Sequence, residues 1–521
     1  MKYFILVSLF FLSLTIKAQE SNLEIIKSKV FVDEKYNTSL LFAKEDSNGD
    51  IFLVRNYYKS EASPLGYYIE HYNKELYLLK RDKIEINRSE LRGVYLNDSE
   101  IVLLQFKYLQ KEKVYEFTTL TSNKTEFNFI EKGIFTIDRD KIKRYDHFGI
   151  RKEPEYTIHE KYKFGDVVES DNNGFIAINL FIKDKNKIDS FLVVVFNDKF
   201  EKIYEHVLDE VQMVSKFEKP MFDYQNIKLD NQGNIYLLGK IYQSNSKKEK
   251  VKGSPNYKYE LFKINSQGQK QITLGDSKYF IDDLQIVLKD NILSCIGFYH
   301  EKESNNTYSK EGIVRINIDV INENVLLKSY QPFQESINTV TFQKMISFTA
   351  IINNLTIDKS FVDDNGDIVF YSEEFSIFIS DNNIQSKNSY GNIVAIKINN
   401  EGELLWINNI NKYQKAWSTD KTPFLSFSAT SKNKLSYLYF NADSEVKKDK
   451  NDKLKFRYSK SKNILNSATI KENGEISFDK LTFEKLNDIL LELRFGVQLK
   501  NETLLFEAKT NDKPLLVKLT Q

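Results

Sequence analysis

Two consecutive carboxylates, Glu373 and Glu374, are of a residue type that can do acid–base chemistry. A carboxylate pair divides the roles of acid and base when the surroundings separate the two pKa values. The pair lies where an alternating apolar segment that begins at Ile368 enters a polar stretch. Consecutive residues of a strand point to opposite faces, however. We therefore do not expect the two to cooperate in catalysis, and keep Glu374 as a ligand-binding candidate.

Two tryptophans, Trp406 and Trp417, bracket the polar segment NKYQ at 411–414. Aromatic rings and side-chain amides together are typical of sites that hold a sugar or a peptide. We expect Trp406 to pack between elements of the fold. The sequence then predicts a ligand-binding site formed by Trp417, Lys412 and Gln414, with no catalytic residue.

Two acidic segments have the alternating oxygen ligands of a calcium-binding loop: Asp46, Asn48 and Asp50, and Asp363, Asn365 and Asp367. The sixth position of such a loop requires glycine, and here it is Ile51 or Ile368. We therefore predict plain hairpin turns at both places. We expect no metal and no cofactor.

The histidines and the cysteine suggest no further chemistry. The five histidines show no HExxH or HxH spacing; they are His71, His147, His159, His206 and His300. The sequence has no glycine-rich phosphate loop and no G-x-S-x-G elbow. A single cysteine, Cys295, excludes an intrachain disulfide and a cysteine-built zinc site. It lies in the strand-like segment ILSCIGFY, so we predict a small buried apolar residue.

The first residues have the pattern of an export signal. Lys2 precedes an apolar run over 3–16, and Ala18 offers a small residue before a cut ahead of Gln19. An uncleaved anchor is the alternative, but the run is short for a membrane span. We therefore expect a signal peptide over 1–18 and one domain over 19–521. The mature chain would have no membrane span and would reside in the periplasm, at the cell surface or outside the cell.

The charges are balanced and the aromatic content is high. Lysine and arginine total 74 and aspartate and glutamate 73, which gives a net charge of +1. A nucleic-acid partner is not expected, because no basic stripe is present. The 38 phenylalanines and 30 tyrosines are typical of a β-rich protein.

The candidate residues lie on short strands folded over tight turns. Apolar residues alternate in FVDDNGDIVFY at 361–371 and in NIVAIKINNEGELLW at 392–406. Gly366 and Gly402 supply the positive φ that a tight hairpin requires. Four antiparallel strands of this length make one blade of a β-propeller.

Fainter copies of the first hairpin recur along the chain. Aligned on the turn, they begin at Asp46, Asn97, Asp171, Asp230, Lys289, Asp363, Ser431 and Lys500. Their mean spacing is about 65 residues, longer than the roughly 40–50 of a minimal blade. The sequence therefore predicts an all-β chain that forms a single closed β-propeller of eight four-stranded blades. Seven blades are the alternative, because four of the copies lack the turn glycine.

The excess length is predicted to gather on one face of the ring. Turns between strands 1 and 2 and between strands 3 and 4 are short, as at 265–268 and 399–402; they define the short-turn face. Long polar loops at 59–66, 243–257, 372–390 and 443–453 connect strands 2 and 3 and define the long-loop face, where we expect functional residues.

The chain ends are predicted to close the ring, because the segment 22–32 can add a fourth strand to the last blade and remove its open edge. The segment 331–355 does not fit the repeat. It could be an inserted helix or an extra strand.

The units LDNQGNIYLLG at 229–239 and YELFKINSQGQ at 259–269 resemble exported β-propeller repeat proteins of Bacteroidota. The similarity spans about half the chain and is strongest over 361–439, where GELLWINNINKYQ precedes LSYLYFNAD. This resemblance implies the fold and export. It implies no reaction, because these relatives mostly lack an assigned activity.

The sequence is compatible with two functions. We favour an exported, non-enzymatic and monomeric scaffold that binds an unknown protein or glycan through its long-loop face. The alternative is a secreted propeller hydrolase that acts on a glycan or a peptide, with acidic residues at the central funnel.

Overall fold

The computed structural model describes most of the chain from Leu23 to Gln521. The described ranges are 23–31, 36–58, 64–86, 89–142, 166–183, 189–208, 221–243, 248–275, 278–301, 310–333, 354–379, 386–417, 424–443, 447–448, 454–457, 463–481, 489–500, 502–511 and 513–521. The predicted signal peptide, 1–18, and most of the segment 331–355 lie outside them.

The chain forms eight four-stranded antiparallel blades in a ring, which confirms the predicted eight-bladed β-propeller. Strand 1 of each blade is innermost. Blade 1 consists of Asn37–Glu45, Ile51–Tyr58, Gly66–Tyr72 and Leu78–Glu85. Blade 2 consists of Ser89–Leu96, Glu100–Leu109, Val114–Asn123 and Ile130–Asp138. Blade 3 consists of Val167–Glu169, Phe175–Lys183, Asp189–Asn197 and Lys202–Leu208. Blade 4 consists of Met221–Leu229, Ile235–Tyr242, Tyr257–Asn265 and Gly268–Thr273.

The second half of the ring repeats the pattern with additions. Blade 5 consists of Tyr279–Lys289, Ile292–Glu301, Gly312–Asp319 and Asn324–Pro332. Blade 6 consists of Asn354–Val362, Ile368–Ile379, Ser386–Ile398 and Leu404–Ile410. Blade 7 consists of Ser428–Lys432, Leu435–Asp443, Asn463–Ile470 and Ile476–Lys480. Blade 8 consists of Ile489–Leu491 with Val497–Gln498, then Leu504–Thr510, Lys513–Thr520 and Glu24–Lys27.

Short additional elements lie outside this pattern. They are the 3₁₀ turns Arg139–Lys141 and Leu493–Phe495 and the strands Lys250–Val251, Ser254–Pro255, Lys412–Trp417, Lys447–Lys448 and Leu454–Arg457. Neither helical turn of the described ranges has the length and apolar character needed to cross a membrane.

The N-terminal segment closes the ring, as predicted. Glu24–Lys27 pairs antiparallel with Lys513–Thr520 and becomes the outer strand of blade 8. The contact continues past the strand, since Phe31 N–H donates to the Pro514 carbonyl at 2.9 Å. The Arg55 guanidinium of blade 1 then lies 3.7 Å from the centre of the Phe31 ring. Blades 8 and 1 are therefore joined by backbone pairing and by side-chain packing.

The core lies between the blades, because each middle strand is covered on both faces. Phe191 of blade 3 and Phe222 of blade 4 are fully buried, with ring centres 5.3 Å apart. Trp406 fills the blade 6–7 interface, and its indole N–H donates to the Glu472 carbonyl at 3.0 Å. Cys295 is fully buried. The predicted interior placements of Trp406 and Cys295 are both confirmed.

The two acidic segments form the predicted hairpin turns. The Asp46 carboxylate accepts the backbone N–H groups of Asn48 at 2.9 Å and Asp50 at 3.1 Å. Asp363 accepts those of Asn365 at 2.9 Å and Asp367 at 3.0 Å in the same way. These aspartates act as turn caps that satisfy backbone donors.

Neighbouring blades are bonded to each other across the short-turn face. Arg315 of blade 5 is almost fully buried and donates to the carbonyl oxygens of Asn399 at 2.7 Å and Gly366 at 2.8 Å, both in turns of blade 6. Lys124 of blade 2 reaches Asp46 of blade 1 at 3.2 Å. This face is therefore built from interlocked turns.

A β-bulge interrupts the inner strand in blades 1, 2, 4, 5 and 6. In blade 6 the extra residue is Asp358, and its carboxylate accepts the backbone N–H of Glu373 at 3.0 Å. The sequence did not predict these bulges. Such bulges bend a strand and re-aim its side chains.

Blade 6 differs from the prediction on the long-loop face. The predicted loop over 372–390 is wrong, because Ile368–Ile379 and Ser386–Ile398 continue as paired strands through most of it. The polar segment that begins at Asn411 also forms a strand, Lys412–Trp417, which the sequence did not predict.

Candidate ligand-binding site

The strand Lys412–Trp417 extends blade 6 on the long-loop face. It follows the outer strand Leu404–Ile410 after one residue and pairs antiparallel with the same neighbour, Ser386–Ile398. Its other edge runs parallel to Leu454–Arg457, a short strand between strands 2 and 3 of blade 7. The sheet of blade 6 therefore continues beyond the end of its outer strand and meets a short strand of blade 7.

Alternation along this strand turns two predicted site residues inward. Lys412 is 2% exposed and Gln414 is fully buried. The Lys412 ammonium donates to the Gln414 side-chain carbonyl at 2.7 Å and forms an ion pair with the Glu373 carboxylate. The Gln414 amide donates to the Asn441 carbonyl of blade 7 at 2.7 Å. Burial lowers the pKa of the Lys412 ammonium group.

Ser426, just before the inner strand of blade 7, completes this buried cluster. Its backbone N–H donates to the Gln414 side-chain oxygen at 2.7 Å, and its hydroxyl donates to Glu373. Both carboxylate oxygens of Glu373 are therefore occupied, one by Lys412 and the other by Ser426. We call Glu373, Lys412, Gln414 and Ser426 the buried cluster.

Glu374 lies beside this cluster but has different partners. A second bulge places it opposite both Gly391 and Asn392. Its carboxylate accepts the Asn392 backbone N–H at 3.1 Å and the Asn392 side-chain amide at 2.9 Å. A Cβ atom on Gly391 would lie 2.5 Å from a Glu374 oxygen, so the glycine makes room for this carboxylate. Burial raises the pKa of the Glu374 carboxyl group.

Tyr390 links the buried cluster to blade 8. Its ring packs against Phe375 with centres 4.9 Å apart, and the Lys412 ammonium lies 5.9 Å from its ring centre. Arg494 of blade 8 donates to the Tyr390 hydroxyl. Blades 6, 7 and 8 are therefore connected through polar contacts at this point of the long-loop face.

Tyr413 is the outward-facing residue of the same strand. It is 45% exposed, whereas its neighbours Lys412 and Gln414 are buried. Leu454, on the adjacent parallel strand, is 37% exposed. The backbone of Trp417 ends the strand opposite Lys387, and its side chain lies outside the described residues.

The structure thus brings Lys412, Gln414 and Glu374 to one place, together with Glu373. Whether any of them contacts a ligand stays a prediction. Sequence reasoning missed Tyr413 and the ion pair of Glu373 with Lys412. Treating 412–417 as a strand would have found Tyr413, because residues 412 and 414 then share one face and residue 413 the other.

The arrangement suits holding a strand in place more than catalysis. In the buried cluster the ammonium, the carboxylate and the amide bind one another, and a reacting group would need access to substrate. Three histidines fall in the described ranges, each in a different blade. His71 contacts Asp50 at 3.0 Å, His206 contacts Gln269 at 2.8 Å, and His300 stacks on Phe280.

No protein-family model matches the chain, and no curated protein does so either. Among solved structures, the chain is similar to the β-propeller domain of the Trilobed protease from Pyrococcus furiosus, at 9% identity and a TM-score of 0.38, covering 86% of this chain and 96% of that chain. It is also similar to the polysaccharide lyase Uly1, at 8% identity and a TM-score of 0.36, covering 95% and 98%. A third is the α-L-arabinanase of Penicillium chrysogenum, at 10% identity and a TM-score of 0.28, covering 67% and 92%. At these identities the likeness concerns the propeller fold alone.

Proposed function

We propose that this protein is an exported, non-enzymatic scaffold that binds an extended ligand, a glycan or a peptide, through its long-loop face. One observation carries the proposal. The strand Lys412–Trp417 is fastened from inside by Lys412 and Gln414 while Tyr413 stands exposed on its outer side. An aromatic side chain on a rigid support binds with little loss of conformational freedom.

In this proposal the predicted site residues have two roles. Trp417 and Tyr413 contact the ligand at the edge of blade 6. Lys412 and Gln414 position the strand from within, and Glu374 holds Asn392 on the neighbouring strand, because their polar groups bind other parts of the protein. Substituting the second group would therefore weaken binding only through loss of local structure.

The hydrolase alternative requires acidic groups that reach a substrate. Glu373 is 4% exposed and is bound by Lys412 and Ser426, and the adjacent Glu374 is bound by Asn392. This closed arrangement favours the scaffold at this site.

The test is binding to printed oligosaccharide and peptide arrays. We expect Tyr413→Ala and Trp417→Ala to lose most of the array signal of the wild type. Tyr77→Ala is the matched control, since Tyr77 is 58% exposed in a turn of blade 1 on the short-turn face. Equal signals for all four proteins would refute the site. Cleavage of the bound oligosaccharides or peptides, followed by mass spectrometry, would instead establish the hydrolase.

A further inference from the structure

In three blades, the long-loop face carries a partly exposed tyrosine with a cation near its ring. In blade 1 the Lys83 ammonium lies 5.6 Å from the ring centre of the partly exposed Tyr36 and 4.5 Å from that of Tyr57, which is only 2% exposed. In blade 2 the Arg139 guanidinium lies 5.7 Å from the ring centre of Tyr108. At the long-loop face the inner strands begin and the second and outer strands end. These tyrosines and cations lie at or beside those strand ends.

Blade 5 has the third pair. The Lys278 ammonium lies 4.5 Å from the ring centre of Tyr279 and donates to the tyrosine hydroxyl. Tyr279 is itself packed against Tyr299 and Tyr330, with ring centres 4.9 and 4.5 Å away. Three blades thus place the same two chemical groups, a phenol and a cation, at the same face of the ring.

Contacts with neighbouring aromatic rings hold these tyrosines in place. Tyr57 contacts Tyr36 with ring centres 5.1 Å apart, and a Cβ atom on Gly66 would lie 2.3 Å from the Tyr57 hydroxyl. In blade 2, Tyr108 packs on the buried Tyr115 with ring centres 5.0 Å apart. The rings are therefore preorganised, so little order has to be gained on binding.

Two of the cations are not neutralised within the part of the chain that the structure describes. There, neither Lys83 nor Arg139 forms an ion pair with a carboxylate, although Glu85 lies near enough to act on Lys83. Lys107 of blade 2 is different, because Glu116 and Glu131 bind it at 3.1 and 2.5 Å. Lys83 and Arg139 are thus placed, as far as the described residues show, to take a negative group from a ligand.

We propose that the long-loop face binds an anionic polysaccharide whose sugar carboxylates meet these tyrosine–cation pairs. The inference rests on the proposed function and names the ligand class. A cation makes a charge-assisted hydrogen bond to a carboxylate, and the phenol offers an apolar face and a hydroxyl to the sugar ring. Blades 1 and 2 are neighbours, so one polymer meets two pairs in succession, and repeated weak contacts on one chain add up to useful affinity.

The test compares polygalacturonate with the same polymer after complete methyl esterification, which removes the charge and keeps the sugar. By titration calorimetry at low salt, we expect the acidic polymer to bind at least about ten-fold more tightly, because only its carboxylates meet the cations. Added NaCl should reduce this difference, because salt screens exposed charges.

The variants are Lys83→Ala, Arg139→Ala and Lys278→Ala, singly and together. We expect about a three-fold loss of affinity for each exposed charge contact and about a thirty-fold loss for the triple variant. Lys434→Ala is the control, since Lys434 is similarly exposed in a turn of blade 7 on the short-turn face, and it should bind like the wild type.

Several results would overturn the inference: no binding of polygalacturonate, equal binding of its methyl ester, or a triple variant that binds like the wild type. Polyglutamate that binds as tightly, with the same dependence on the three cations, would assign the face to an acidic polypeptide instead. If array ligands bind through Tyr413 while polygalacturonate does not, the anionic-glycan inference alone fails. If no array ligand binds either, the proposed function fails with it.

Discussion

Replacing Lys412 by methionine should destabilise the propeller strongly. The Lys412 side chain is fully buried, and that of its partner Glu373 is 5% exposed. Methionine fills a similar volume but leaves the Glu373 carboxylate buried without its counter-charge, while Ser426 still donates to it. Removing one partner of a buried ion pair costs about 3–5 kcal/mol. We expect the free energy of unfolding to fall by that amount.

The double variant Lys412→Met/Glu373→Gln separates the lost charge from the lost packing. The glutamine side chain is neutral and still accepts the Ser426 hydroxyl. The double variant should therefore be more stable than Lys412→Met by about 2 kcal/mol, a coupling typical of contacting residues. Lys434→Met is the control, because Lys434 pairs with Glu472 at the surface, and should cost less than about 1 kcal/mol.

The assay is urea unfolding followed by tryptophan fluorescence. Trp406 is 8% exposed in the interface between blades 6 and 7, so its emission reports on this region. If Lys412→Met is as stable as the Lys434→Met control, the buried ion pair is refuted. If the effects of the two substitutions in the double variant simply add, Lys412 and Glu373 are not coupled.

Two further predictions concern Glu374 and the N-terminus. Burial raises the pKa of Glu374, so the folded protein holds this proton more tightly than the unfolded chain, and stability rises as the pH falls from the raised pKa toward the ordinary value of about 4.3. Glu374→Gln should therefore be more stable than the wild type at neutral pH, with a difference that shrinks on acidification; a constant difference in urea midpoints across pH would contradict this. For export, the intact mass of the protein from its native host should correspond to a chain that begins at Gln19, and a mass that retains 1–18 would exclude the cut after Ala18.

The propeller was predictable because its signals are local. The eight predicted turns all lie between strands 1 and 2 of successive blades. Asp46 and Asp363 cap turns whose glycines, Gly49 and Gly366, have φ of 86° and 81°. A turn of this kind involves a few neighbouring residues, so its residue types reveal it directly. The closing strand was predictable for a related reason, because the last blade had only three strands of its own.

The candidate site was predictable only in part. Lys412 and Gln414 were chosen for their chemistry, and they do lie at the long-loop face of blade 6. Their inward direction follows from the strand Lys412–Trp417, which the polar sequence NKYQ did not predict as a strand. A polar strand has the composition of a loop, and only the partners of its side chains distinguish the two. Here the partners of Lys412 and Gln414, Glu373 and Asn441, come from distant parts of the chain.

The sequence by itself determined the turns, the alternation of the strands and the closure of the ring, and it favoured eight blades over seven. Each depends on backbone conformation and on burial patterns that repeat within a few residues. The tertiary structure alone decided that Glu373 is neutralised by Lys412, that a bulge separates Glu374 from it, and that Tyr413 faces outward. These properties depend on contacts between residues 18 to 39 positions apart, and no spacing in the sequence encodes which distant groups will meet.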